Sequence, residues 1–192
     1  LNRFHVIDVI FPAIDIIRQE LVAGGVSAEL GNISEIVSDP NNNGVNANVV
    51  ISLINIEENR ISRDPRNYVR KDSTTVIFKN PAIHLNLTLL ITSVRRAGGY
   101  QLALQDLQQV IGVFQHKCVF DASNTLALVP FPEIEKLTIE MVSLNLQQLH
   151  EIWSVLGGRY FPSVVYRLRM VTIDRLDDKP EGQVIKEIEL DF

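Results

Sequence analysis

Between His5 and Ala23 the apolar residues Ile7, Ile10, Phe11, Ile14, Ile17 and Leu21 fall at three- and four-residue steps. That spacing predicts a helix with one apolar stripe. Gly24-Gly25 stops it, and Pro12 within it predicts a kink or a late start. A polar stretch follows, with the turn-rich run "DPNNNGVNAN" at 39–48. The next apolar run, "VVISLINIEE" at 49–58, is β-branched and apolar on both alternating faces, which predicts a central strand. The charged residues 59–73, with Pro65, predict a long exposed loop. In "PAIHLNLTLLIT" at 81–92, Ile83, Leu85, Leu87, Leu89 and Ile91 share one face of a strand; His84, Asn86 and Thr88 share the other.

Residues 98–117 open on a Gly pair and turn helical, with an apolar stripe of Tyr100, Leu104, Leu107, Ile111 and Phe114 widened by Leu102 and Val110. A connection with room for a short strand runs from 116 to 133. At 134–144, Leu137, Ile139 and Met141 alternate with Lys136, Thr138 and Glu140, a half-exposed strand. Asn145 with Gln148 three residues on predicts a capped helix whose Leu146, Leu149, Ile152, Trp153 and Leu156 face one way, ending at Gly157-Gly158. "SVVYRLRMVTI" at 163–173 is the last core strand, and "QVIKEIEL" at 183–190 alternates once more. The order of elements predicts an α+β fold: one mixed or antiparallel sheet packed with helices, in residues 1–175, and an acidic extension carrying a further strand, 176–192.

Composition narrows the function classes. The chain has 192 residues, 46% of them hydrophobic, so one domain can bury a real core. Net charge is -5, which gives no reason to expect nucleic acid or a membrane surface as partner. No apolar run reaches the ~18 residues of a membrane helix. Asp8 and Asp15 break the N-terminal apolar run, which reads as a packed helix rather than a signal peptide. The single Cys118 staples nothing, and a reducing compartment is the natural setting.

Candidate chemistry is sparse. His5, His84, His116 and His150 are scattered, and the His116–Cys118 pair lacks the further ligands a metal site needs. The Gly pairs read as caps and hinges, and the two glycosylation-like triplets at Asn32 and Asn86 as accidental. Arg60, Arg63, Arg66, Arg70 and Lys71 are opposed in their loop only by Asp64: a docking surface for an acidic partner, or a solvated loop. Trp153 reads as core. Arg167 and Arg169 lie on one face of the last strand, with Tyr166, Leu168 and Met170 on the core face. That arginine face either grips carboxylates of a partner or makes cross-strand ion pairs, for instance to Glu140. The sequence declares no convergent set of acid, base and nucleophile, and no cofactor is expected.

Four blocks occur in a fixed order: "VVISLINIEEN", "KNPAIHLNLTLLIT", "YQLALQDLQQVIGVFQHKCVF" and "IEKLTIEMVSLNLQQLHEIWSVLGGRYFPSVVYRLRMVTI". Together they resemble the cap family of phage-tail-like contractile injection systems, of the antifeeding-prophage and virulence-cassette type, over roughly residues 5–175. The resemblance implies a tail-terminator-like fold and a non-enzymatic role. Such caps form a homohexameric ring at the end of the particle away from the baseplate, end the inner tube and anchor the last sheath ring. Partners would be further copies of the chain, the tube protein and the sheath protein. The setting would be the bacterial cytoplasm during assembly and the particle afterwards. A tube-initiating or baseplate-side adaptor is the alternative, and an α/β enzyme with a pocket near His84 or Cys118 a third. Asn55, Glu57, Pro81, Gln115, Trp153, Gly157, Tyr160, Pro162, Tyr166 and Arg169 fall on the family pattern as fold determinants.

Two contacts are expected on this basis. The tail strand, with Val184, Ile188 and Leu190 alternating, would add to a partner's sheet edge. Arg167 and Arg169, or the basic loop, would face acidic groups of the last tube ring.

Overall fold

The computed structural model describes residues 8–38, 46–60, 68–70, 75–78, 83–95, 98–173 and 181–183, with the backbone alone at 68–70, 75–78, 170–173 and 181–183. In chain order the elements are α1 (Ile10–Ala23), β1 (Ala28–Leu30), α2 (Ile33–Ser38), β2 (Val49–Glu58), β3 (Tyr68–Arg70), β4 (Thr75–Phe78) and β5 (Ile83–Ser93). Then come α3 (Tyr100–His116), β6 (Val119–Asp121), a 3-10 turn (Leu126–Leu128), β7 (Lys136–Val142), α4 (Leu146–Val155), β8 (Ser163–Ile173) and β9 (Glu181–Gln183).

The main sheet has six strands in the order β1-β2-β5-β8-β7-β6. β1 runs parallel to β2, and every other pair is antiparallel. A second sheet, β3-β4-β9, is antiparallel throughout. The alternation of β5 sends Leu85, Leu87, Leu89 and Ile91 to one face, where α1 and α3 cover them together with Tyr166 and Leu168 of β8. Leu90 and Val165 point to the opposite face, against Trp153 of α4 and Ile33 and Val37 of α2. Residues 89–93 are buried on both faces, which explains why Leu89, Leu90 and Ile91 run on without polar alternation.

The late start expected at Pro12 is what forms. Pro12 is the third residue of α1, where its missing N–H has no partner within the helix to lose. Gly24 then brings α1 against α3, since a Cβ there would collide with Val113. At α4 the Asn145–Gln148 capping box is complete: Gln148 N donates to Asn145 Oδ1 at 2.8 Å and Asn145 N to Gln148 Oε1 at 3.0 Å. Gly157 (φ 113°) and Gly158 (φ 74°) end the helix in backbone conformations that suit glycine, and Gly158 N donates to Trp153 O at 2.7 Å.

Several expectations change. The polar stretch after Gly25 holds β1 and α2. Ser52, a polar residue inside an apolar strand, explains them: its Oγ donates to Gly31 O at 2.6 Å and accepts from Ile33 N at 3.1 Å, so β2 caps α2. β2 is buried only from Val49 to Ser52; its second half is largely exposed after a register shift between Leu53 and Asn55. The segment read as a loop at 59–73 contains β3, and β4 follows it. Of the tail strand expected at 183–190 only Gln183 is described; it ends β9, which pairs with β4.

The stripe of α3 is rotated from the expected one. Ala103, Asp106, Leu107, Val110 and Phe114 are buried, whereas Tyr100, Leu102, Leu104 and Ile111 are exposed. The cause is Asp106, which turns inward to meet Arg95 in a two-pronged ion pair at 2.8 and 2.9 Å and accepts from Ser93 Oγ at 2.9 Å. Phe11 of α1 and Leu146 of α4, also assigned to core stripes, are 61% and 86% exposed.

Candidate interaction surfaces

β8 lies between β5 and β7, so its side chains are set by register on both sides. Arg167 is paired with Thr88 of β5 and Glu140 of β7, and Arg169 with Thr138. On that shared face Arg169 Nη2 donates to Glu140 Oε1, and Arg167 Nη1 stands 3.7 Å from the same oxygen. The expected cross-strand ion pair therefore exists. It joins two guanidinium groups to one carboxylate, a local excess of positive charge. The Nε atoms of both arginines and Oδ1 of Asn86 are buried without a hydrogen-bond partner.

Beside this cluster the sheet face and α4 form an open groove of about 630 Å³. Leu53 and Asn55 of β2, Thr88, Arg167, Val142 and the α4 residues Glu151, Ile152 and Val155 are among those that line it. Trp153 of α4 is buried in the core, edge-on to Tyr160 with ring centroids 5.7 Å apart. β1 ends at Leu30, opposite Ile51, and among the described residues no strand lies beside Ser52–Glu58 on the outer side of β2.

The remaining expected contact residues are spread out. Arg60 is largely exposed, with Glu58 at 3.3 Å. Arg70 ends β3 rather than sitting in a loop. Arg63, Arg66 and Lys71, and Val184, Ile188 and Leu190 of the tail, lie outside the described residues. Neither His84 nor Cys118 lines the groove. Among the described residues no three His, Cys, Asp or Glu gather as a metal site, and no helix is long and apolar enough to cross a membrane.

Sequence reasoning missed the groove. Its signals were Ser52, whose hydroxyl holds α2 in place, and Asn32 with Glu35 three residues on, the same capping pattern that marked α4.

The fold is that of two solved assemblies. One is the sheath/tube terminator of an extracellular contractile injection system, PVC, in its extended state: TM-score 0.61 at 14% identity, covering 95% of this chain and 62% of that one. The other is the tube-terminating cap of the anti-feeding prophage: TM-score 0.62 at 16% identity, covering 93% of this chain and 60% of that one. The chain thus spans about three fifths of the length of the proteins it matches. The comparison with curated proteins gives no match. The Pvc16 N-terminal domain family matches residues 14–187, all but the ends of the chain, and the chain belongs to that family.

Proposed function

We propose that this chain is a structural cap of a contractile injection system. It forms a homohexameric ring at the end away from the baseplate, stops growth of the inner tube and anchors the last sheath ring. The observation that carries the reading is the family match over 14–187 joined to the terminator-like fold over 93–95% of the chain. The role is non-enzymatic, and its partners are further copies of the chain, the tube protein and the sheath protein. Assembly takes place in the bacterial cytoplasm and the ring then stays with the particle.

Within this reading the surplus cation of the Arg167–Arg169–Glu140 cluster faces acidic groups of the last tube ring, where a guanidinium binds a carboxylate in two-pronged fashion. The basic stretch from Arg60 to Lys71 is the second such contact. The tail residues Val184, Ile188 and Leu190 add to a partner's sheet edge, and the outer edge of β2 at Ser52–Glu58, unpaired among the described residues, has the geometry to receive a strand.

Tube length is the test. Particles assembled without this chain should carry tubes of broad and excessive length, and added protein should restore a single length. Tubes of normal length in its absence would overturn the proposal.

A further inference from the structure

The outer face of α3 is unusual for a helix in contact with water. Over Tyr100–His116 the only carboxylate is Asp106, which is buried against Arg95, and there is no Lys or Arg. What faces outward is Tyr100 (65% exposed), Leu104 (46%) and Ile111 (36%), beside Gln101, Gln105 and Gln108. Exposed helix faces in soluble proteins are normally charged. Interface cores are depleted of charge and enriched in tyrosine.

The opposite face of the sheet carries the complementary shape. The groove beside α4 is concave, and Val155 (85% exposed) and Leu53 (37%) supply apolar surface at it. Its charged lining residues are Glu57, Glu151 and Arg167, the last already turned toward Glu140. Neutral amide donors satisfy carboxylates without burying a second charge, and α3 presents a row of them. A convex, uncharged helix on one face and a groove on the other are two different patches, as a head-to-tail contact needs.

We infer that the Tyr100–Leu104–Ile111 flank of α3 in one copy of this chain seats in the α4 groove of the next. The inference rests on the ring proposed above and names the surfaces that close it. Each copy gives a helix and receives one, so the contact repeats around a closed ring with no α3 flank and no α4 groove left over.

The test uses two substitutions at exposed positions on opposite faces, Leu104→Glu and Val155→Glu, in the full chain. Each should leave the circular-dichroism spectrum unchanged and weaken self-association at least about tenfold in sedimentation, because a carboxylate is then desolvated against apolar surface or beside Glu57 and Glu151. A Leu104→Glu copy keeps its groove and a Val155→Glu copy keeps its helix. An equimolar mixture should therefore form dimers that grow no further. An assembling wild-type chain that is indifferent to both substitutions, or a mixture that gives no dimer, overturns the pairing of surfaces and leaves the ring standing. A wild-type chain that stays monomeric even on purified tubes overturns the ring and the pairing together.

Discussion

Trp153 shows how one side chain can be read from sequence for its location and still surprise in its chemistry. It is 4% exposed and packs with Leu90, Val165, Ile33 and Val37, as its place on an apolar helix face predicts. Its indole Nε1 is buried with no hydrogen-bond partner. Trp153→Ala should cost about 3–5 kcal/mol in urea unfolding through the cavity it leaves. Trp153→Phe, which removes the orphan donor along with some volume, should cost well under half of that. Equal losses for the two would show that the indole N–H finds a partner. Arg167 and Arg169 were legible as a shared face, because strand alternation fixes it. Their partner Glu140 was legible as well, since β7 alternates against β8. That both arginines lean on the same carboxylate oxygen was not, because it depends on register and rotamer rather than on spacing. Part-exposed pairs of this kind contribute little to stability, about 0.2–1 kcal/mol. Glu140→Gln should therefore leave the melting temperature almost unmoved; a drop of many degrees would mean the cluster holds the sheet together.

Helices were legible where large apolar residues mark the core and obscure where a polar residue does. In α3 the eye follows Tyr100, Leu104 and Ile111, yet Asp106 decides the rotation because Arg95 and Ser93 wait for it inside. The hydrogen bonds from Arg95 hold the Asp106 carboxyl below its ordinary value, against the opposing effect of burial. A lowered carboxylate contributes stability above its unfolded value, about pH 4, and loses that contribution as pH falls through its folded value. Asp106→Asn should lower stability at neutral pH by about 1–3 kcal/mol and flatten the loss of stability below about pH 4. Denaturant titrations across that range will show it, and an acid limb of unchanged slope would refute it. β1 and α2 escaped notice because each is too short to show a period. Ser52 holds them through two hydrogen bonds that cross about twenty residues of sequence. The small sheet was hidden for a related reason: β3, β4 and β9 have three or four residues each, and β9 meets β4 from the far end of the chain.

At the scale of the molecule, the order of elements already placed the fold in the α+β class, and the family pattern pointed to a terminator. The two covered faces of the sheet were not visible, because periodicity shows that a helix has an apolar side but not which face of a sheet receives it. That partition puts α3 and the α4 groove on opposite sides of one subunit, which is what the proposed head-to-tail contact requires. Removal of 184–192 takes away the expected contact residues Val184, Ile188 and Leu190 and keeps β9 whole. Such a chain should fold and melt as the full chain does and fail to retain sheath on purified particles; normal sheath retention would remove the tail from the contact. The central claim is that this chain closes the tube. Electron microscopy of intact particles carrying a gold label on this protein tests it most directly. The account predicts label at one end only, opposite the baseplate, over a six-fold ring that ends the tube. Label at the baseplate, or along the shaft, would contradict it.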